Sequence, residues 1–343
     1  MKSWDLCQKK KKVVTQNKEI LPDIGGNMGK ITQDRRLKHY HKIFEQIYES
    51  PLIPLHDISI NTGLSRNTVS KYLKDMYARD IIQGPYIRMK PALNYREYVY
   101  LMNFTDPWIA FRGLEGFPHV VYHAMTFGDW NTMVVSNRLL DFSQLVGFES
   151  VVHQGVRYCS HTPKTGHISW NESFEKVYEQ LTQFTPVREE YKNRRLTALN
   201  WGEDEWKLYH AFNFMRKKAT PVLRKINVRY ETYVKWMKSL ETNCTVNTGF
   251  YPQGYKTYAC YCFLFFTDHE ESVKSLFSLF PATSFFIELD KQLLVFTHVK
   301  SSKEKRNLFC LVYDMKTKRM IKGFKHTVVL FHSQYLRGEL LNI

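Results

Sequence analysis

Hydrogen-bonding side chains are concentrated in one short stretch, GLSRNTVSKYLKDM, at residues 63 to 76. If this stretch is helical, burying Val69, Leu73 and Met76 turns its polar residues to the opposite, exposed side. Ser65 is a typical N-cap residue and marks the start of the helix. Hydroxyl, amide and cationic groups on one exposed helix face can bond to phosphates and base edges. The pattern predicts a DNA-contacting helix with the following polar residues: Ser65, Arg66, Asn67, Thr68, Ser70, Lys71 and Lys74.

The flanking residues complete a winged helix-turn-helix pattern around this helix. Asp34 to Ser50 has apolar residues at helical spacing, and Leu55 to Gly63 predicts a short second helix with a glycine at the turn. Ile81, Ile82 and Gly84 fit the first strand of a wing, and Tyr86 to Pro91 fits the returning strand. The alternative is an ordinary three-helix bundle whose basic face is only solvated.

We expect the polar groups of this unit to divide between two tasks. Base reading, or contact beside the bases, is expected of Arg66, Asn67 and Lys71. Phosphate binding is expected of Ser65, Thr68, Lys74 and the wing residues Arg88 and Lys90.

The charge of the chain favours a polyanionic partner. The 343 residues carry a net charge of +16, and the sequence pI is about 9.4. Residues 1–100 contain 18 Lys and Arg against 10 Asp and Glu, and residues 300–326 contain 9 against 2. Lys and Arg gain affinity for nucleic acid by releasing counterions from the phosphates. A generic solvated basic surface is the alternative.

The chain contains two related halves. NFTD at residues 103–106 recurs as FFTD at residues 265–268, and each follows an aromatic-rich stretch typical of a strand. NTVSKYLKDM at residues 67–76 matches ETYVKWMKSL at residues 231–240, an offset of 164. Landmarks that keep nearly one offset indicate a tandem duplication. The second helix-turn-helix has lost its turn glycine and serine cap, so we interpret it as degenerate and more typical of a scaffold.

The predicted fold is therefore α+β, a winged helix-turn-helix followed by a ferredoxin-like βαββαβ domain, with the pair repeated twice in one chain. Between the halves, Phe174, Val177, Tyr178 and Leu181 share one face of a connecting helix capped by Asn171. The predicted segments, in chain order, are a flexible basic tail (1–35), a winged helix-turn-helix (36–92), an α/β effector and dimerisation domain (93–165), the connecting helix (166–203), a degenerate helix-turn-helix (204–250) and a second α/β domain (251–343).

In its module order the chain resembles the leucine-responsive regulator (Lrp/AsnC) family. The likeness is carried by the DNA module, residues 58–91, and by the stretches YVYLMNF, MTFGDWNTMVVSN and GVRYCSHTP. It implies sequence-specific binding of double-stranded DNA, pairing through the α/β domains and a small-molecule effector at their interfaces. TFGDWN is a loose version of the family's Thr-Gly-x-x-Asp stretch, which implies effector contacts at Thr126, Gly128 and Asp129.

The chain departs from that family by carrying two units. Its two α/β domains can pair within one molecule, which leaves one strong base-reading helix per chain. A palindromic site then requires two chains, because half-site spacing follows protein symmetry. We therefore expect a homodimer.

An enzyme is the alternative class of function. The same two modules resemble siroheme decarboxylases, in which the helix-turn-helix is not used for DNA. Such an enzyme needs His and Arg groups to hold the carboxylates of a large tetrapyrrole. The first half offers His119, His123, His153, Arg157 and His161. The capped, basic helix favours DNA binding, so we expect a regulator without catalytic residues.

Other classes of function find no support in the sequence. Its six cysteines include no C-x-x-C pair, and neither a phosphate-cradling glycine loop nor an H-E-x-x-H or G-x-S-x-G motif occurs. We expect no metal and no cofactor. The apolar runs are too short to cross a bilayer and no secretory signal pattern is present, so we expect a cytoplasmic protein without a membrane partner.

Overall fold

Helices and antiparallel strands are mixed along the chain in an α+β arrangement. The structure is a computed structural model that describes residues 32–186 and 196–334. The predicted basic tail lies outside the described residues except for its last four. The described residues from Leu37 onward form one compact unit. Within these ranges no helix combines the length and apolarity needed to cross a bilayer.

The elements are, in chain order, α1 (Gln33–Glu49), α2 (Leu55–Thr62), α3 (Arg66–Ala78), β1 (Ile82–Met89), β2 (Glu97–Phe104), α4 (Pro107–Gly113), β3 (Val120–Gly128), β4 (Thr132–Ser136), β5 (Phe148–Arg157), β6 (Ser160–His161), α5 (Trp170–Gln183), α6 (Glu203–Ala211), α7 (Ala219–Ile226), α8 (Tyr230–Asn243), β7 (Cys244–Phe250), β8 (Ala259–Phe266), α9 (Glu270–Ser278), β9 (Phe285–Leu289), β10 (Gln292–Val299), α10 (Ser302–Thr317) and β11 (Gly323–Gln334).

The first helical module consists of α1, α2 and α3. Gly63 adopts the left-handed conformation, with φ of 69°, and ends α2. The Ser65 hydroxyl accepts a hydrogen bond from the Thr68 amide at 3.2 Å and caps α3. Val69, Tyr72, Leu73 and Met76 are buried against α1, as the helical spacing predicted.

The predicted wing is replaced by a single strand. Residues 82–89 form β1, which pairs antiparallel with β7 from the second half of the chain, from Ile82 opposite Phe250 to Met89 opposite Cys244. The sequence-based hairpin was wrong because the hydrogen-bonding partner of β1 lies about 160 residues away. This two-stranded sheet joins the first helical module to the second.

The second helical module consists of α6, α7 and α8. Asn227, with φ of 55°, takes the left-handed position that Gly63 holds in the first module. Asparagine tolerates this conformation better than most residues, so Asn227 can end α7 as Gly63 ends α2. Trp236 and Leu240 of α8 are buried against the other two helices.

One nine-stranded antiparallel sheet carries the rest of the fold, in the order β5-β2-β4-β3-β11-β8-β10-β9-β6. In each half the last strand lies beside the first, followed by the third and the second. The halves meet where β3 pairs with β11, from Thr327 opposite Gly128 to Gln334 opposite Tyr122.

The two halves differ on the helical side of the sheet. In the second half, α9 and α10 bury a core rich in phenylalanine, and α5 packs against the same core through Phe174, Val177 and Leu181. Ser169 caps α5 in place of the predicted Asn171. In the first half, residues 137–147 form a loop where the βαββαβ prediction requires a second helix. Phe142 of this loop packs onto the strands, so the loop covers part of the sheet itself.

Candidate functional site

The polar face of α3 is open to solvent. Ser65, Arg66, Asn67, Lys71 and Lys74 are exposed, and Thr68 and Ser70 are half-buried beside them. The Ser65 hydroxyl lies 2.8 Å from that of Thr68, so the two bond to each other at the helix N-terminus. The structure therefore brings together the seven polar residues that the sequence assigned to this helix.

The two predicted wing residues lie elsewhere. Lys90 donates from Nζ to the backbone oxygen of Glu241 at 2.8 Å, beside the second helical module. Arg88 is half-buried and lines a large cavity. Because β1 is one extended strand, it carries both residues away from α3 instead of folding them back toward it.

The three residues predicted to hold an effector join the two halves of the sheet. Asp129 accepts a hydrogen bond from the His326 amide at 2.6 Å, and the Asp129 amide donates to the His326 oxygen at 2.9 Å. The Thr126 hydroxyl donates to the Trp130 oxygen at 2.7 Å. Neither Thr126, Gly128 nor Asp129 lines this cavity. The TFGDWN stretch thus contacts β11 and helps to hold the two halves of the sheet together.

Replacing Gly128 with alanine is expected to destabilise this junction. A Cβ atom at Gly128 falls 2.4 Å from the His326 backbone oxygen, too close for any side chain. We expect a loss of about 1–3 kcal/mol in the free energy of unfolding, measured by denaturant titration. Gly113→Ala is the matched control, because a Cβ there meets nothing within 4 Å. Equal stabilities of the two variants would contradict the close approach.

A large cavity lies between the nine-stranded sheet and the two-stranded sheet with α6. Its volume is about 760 Å³. Apolar side chains from the strands form one wall, among them Val121, Met133, Val135, Phe285, Ile287, Phe296 and Val329. The opposite wall brings Tyr86 and Arg88 from β1 and Tyr209 from α6. A cavity of this size, mostly apolar with a few polar groups, is typical of a small-molecule site.

The charges that line the cavity are mainly positive. Arg157 is buried and donates to Glu97 Oε2 at 2.7 Å, to the Ser160 hydroxyl at 2.9 Å and to the Met89 oxygen at 2.8 Å. Burial lowers the pKa of Arg157, but Glu97 and the nearby tyrosines more than offset this, so its net direction is upward. Burial lowers the pKa of Arg88, which lies in the field of Arg157. Glu97 is the one carboxylate among the lining residues, so the interior favours an anion.

Two buried polar side chains in the cavity wall have atoms without a hydrogen-bond partner among the described residues. They are the Nε2 atom of His298 and the amide atoms of Asn247. His298 Nδ1 lies 3.2 Å from the Thr283 oxygen, and a carbonyl only accepts, so Nδ1 carries the proton. Burial lowers the pKa of His298 to about 4, which leaves Nε2 as an acceptor at neutral pH. Such atoms are normally satisfied in folded proteins, so they indicate a polar ligand or water.

The phenols and the thiol in the cavity wall are neutral. Burial raises the pKa of Tyr209, Tyr251 and Tyr255, so their phenols stay protonated and can donate hydrogen bonds. Burial also raises the pKa of the Cys260 thiol to about 12. Cys260 is therefore a poor nucleophile, and the arrangement favours binding through arginines, phenols and one histidine.

His298 is expected to make the protein acid-labile. Its folded-state pKa of about 4 lies below the ordinary histidine pKa of 6.5, so the unfolded state takes up the proton more readily. Its contribution to stability is complete above pH 6.5 and is lost as the pH falls toward 4, by about 3 kcal/mol.

Denaturant titrations at several pH values test this expectation against His298→Gln, whose amide can still donate to Thr283. The wild type should lose about 3 kcal/mol more than the variant between pH 7 and pH 4. The lowered pKa values of His41, His123 and His153 act in the same direction in both proteins. Parallel stability curves would contradict the account.

Of the five residues named for a tetrapyrrole enzyme, two line the cavity and three lie elsewhere. His119 and Arg157 line the cavity. His123 packs against Phe111 of α4 on the helical side of the sheet, His153 lies on β5, and His161 packs against Phe286. Three further cavity residues were not expected from the sequence, since they come from segments far apart in the chain: Arg88, Tyr209 and His298. The alternation of β1 was the available signal for Arg88.

Solved structures share this architecture only distantly. The siroheme decarboxylase NirDL is 11% identical, with 86% of this chain and 91% of that chain covered and a TM-score of 0.46. Its complex with an iron-uroporphyrin III analogue is also 11% identical, with 87% and 94% covered and a TM-score of 0.46. E. coli AsnC is 14% identical, with 35% and 89% covered and a TM-score of 0.29. No protein-family profile and no curated protein matches the sequence. These values are too low to transfer a function.

Proposed function

We propose that the protein is a sequence-specific regulator that binds double-stranded DNA through α3. The exposure of Arg66, Asn67, Lys71 and Lys74 on one side of a capped and firmly packed helix carries this proposal. A helix in this position can enter the major groove, where its first turns reach base edges. Had the described residues of the chain covered this side, the helix could not act in this way.

The proposed organisation is two copies of one unit, each a helix-turn-helix with a ferredoxin-like domain, at the boundaries given by the sequence. The common strand order of the two sheet halves supports it, and so does the pairing of β1 with β7. The loop at residues 137–147 replaces a helix in the first copy. A homodimer belongs to this proposal, since each chain has one helix with base-reading residues; sedimentation of the purified protein tests it.

The cavity is the proposed effector site. Tyr86 and Arg88 lie on the strand that follows α3, and Tyr77 of α3 donates from its hydroxyl to the Gly84 oxygen at 3.0 Å. A ligand that contacts β1 therefore lies one hydrogen bond away from the C-terminal end of α3. The ligand is expected to have a largely apolar body, which would pack against the apolar wall, and an anionic group, which would pair with the arginines.

A siroheme decarboxylase-like enzyme is the second candidate, and the cavity is the observation that favours it. Its volume of about 760 Å³, the buried Arg157 and the half-buried Arg88 suit a large carboxylated substrate. Arg157 and Arg88 would then hold carboxylates, and His298 Nε2 would accept a hydrogen bond.

Two binding titrations separate these functions. Wild-type protein is titrated with a random-sequence duplex at two salt concentrations, and separately with an iron-uroporphyrin that is followed by its absorbance. The regulator predicts salt-dependent DNA binding that is weaker and less salt-dependent in Lys71→Ala/Lys74→Ala. Tetrapyrrole binding without any DNA binding would overturn the regulator and favour the enzyme.

A further inference from the structure

The second helical module carries a basic face on α8 that matches the face of α3. We propose that Lys235 and Lys238 form a second contact with the same DNA duplex, one that holds phosphates without reading bases. This inference rests on the proposed function, since it requires the protein to bind DNA. The second helical module would then bind the DNA backbone.

The lysines occupy equivalent positions in the two modules. At the offset of 164 residues, Lys235 corresponds to Lys71 and Lys238 corresponds to Lys74. All four side chains are exposed. Neither Lys235 nor Lys238 forms an ion pair with a described residue, so both ammonium groups face water.

The buried residues show that the two helices present the same side. Trp236 corresponds to Tyr72 and Leu240 to Met76, and all four are buried in their own modules. Since side chains repeat every 3.6 residues, matching buried positions fix the direction of the exposed ones. The lysines of α8 are therefore exposed on the same side of their module as the lysines of α3 are on the first module.

Two of the three residues expected to read bases or lie beside them are replaced in α8, and the third, Lys71, is kept as Lys235. Tyr230 stands at the position of Arg66, and Glu231 stands at the position of Asn67. The arginine and the asparagine that could form bidentate contacts with guanine and adenine are therefore missing at the start of α8, and a carboxylate repels acceptor edges and phosphates. The cap is also different, because Arg229 at the N-cap of α8 forms no side-chain hydrogen bond to the helix.

The charge around α8 nevertheless favours a polyanion. Residues 219–243 contain five Lys and Arg against two Asp and Glu, whereas residues 55–79 of the first module contain four against two. The additional cations Arg224, Lys225 and Arg229 are exposed at the turn before α8 and at its start. A surface that keeps its cations and lacks the arginine and asparagine of the first turn fits backbone binding, which is independent of sequence.

The test compares Lys235→Ala/Lys238→Ala with wild type on duplexes of several sequences over a range of salt concentrations. Two lost phosphate contacts should reduce the slope of log affinity against log salt by about 1.8. The loss of affinity should be equal for all sequences, and the preferred sequence should not change. Lys291→Ala/Lys300→Ala is the control, because it removes the same charge from two exposed lysines at the ends of β10, neither of which forms an ion pair with a described residue.

Three results would overturn the inference in distinguishable ways. A slope equal to that of the control, with DNA binding otherwise intact, would leave the second module as a scaffold and the proposed function standing. A changed sequence preference would mean that α8 reads bases. The absence of DNA binding by the wild type would overturn the proposed function and this inference together. Melting curves of each variant exclude misfolding, which is not expected for exposed lysines.

Discussion

Replacing Arg66 with alanine is expected to weaken DNA binding selectively at one base pair, by about 1–3 kcal/mol. Arg66 is the first residue of α3 and is exposed beside the Ser65 cap, where a recognition helix approaches base edges. A bidentate contact with guanine would be lost only where that guanine is present. Titrations against a preferred duplex and its single-base variants measure this effect.

The matched comparison for Arg66→Ala is Lys74→Ala, which lies two turns further along the same helix. Loss of a phosphate contact lowers affinity for all duplexes alike and makes the salt dependence shallower. If Arg66→Ala instead weakened all duplexes equally, Arg66 would be a phosphate contact, and the assignment of base reading to this end of α3 would be wrong.

Replacing Arg88 with glutamine is expected to reduce binding of a carboxylated ligand in the cavity by about 1.5–3 kcal/mol. Arg88 and Arg157 line the cavity together with one carboxylate, Glu97, so an incoming carboxylate meets a net positive field. Iron-uroporphyrin, followed by absorbance or isothermal titration, is a suitable probe. Removing a half-buried cation should not destabilise the fold, and melting curves check this.

Arg138→Gln is the control for the cavity. Arg138 also lines the cavity but is exposed to solvent at its rim, where charge interactions are screened. We expect a smaller loss of ligand affinity and a stronger dependence on salt. An equal effect of both substitutions would place the ligand at the rim. If Arg88→Gln weakened DNA binding more than ligand binding, Arg88 would act on DNA as its position after α3 first suggested.

Local signals in the sequence were sufficient for the helical modules. The cap at Ser65, the turn at Gly63 and the buried row from Val69 to Met76 depend only on residues a few positions apart. The same is true of α5, although its N-cap is Ser169, two residues before the predicted Asn171. Helix periodicity and capping are properties of short segments, so they can be predicted without knowing the tertiary fold.

Long-range pairing was not accessible in the same way. The sequence around Gly84 suggested a hairpin, but β1 pairs with β7. No residue within β1 indicates that its partner strand lies in the second half of the chain. The junction of Gly128 and Asp129 with His326 was equally hidden, and the stretch was interpreted as an effector site. The cavity draws residues from strands and helices of both halves, so a single strand could not reveal that Arg88 and His298 line it together.

The most direct test of DNA recognition by α3 is selection of bound duplexes from a random pool at a stated salt concentration. The account predicts that wild-type protein enriches a defined motif and that Arg66→Ala alters the motif at one position. A pool that stays random after repeated selection with folded wild-type protein would contradict it, and a tetrapyrrole absorbance band in that same protein would favour the enzyme.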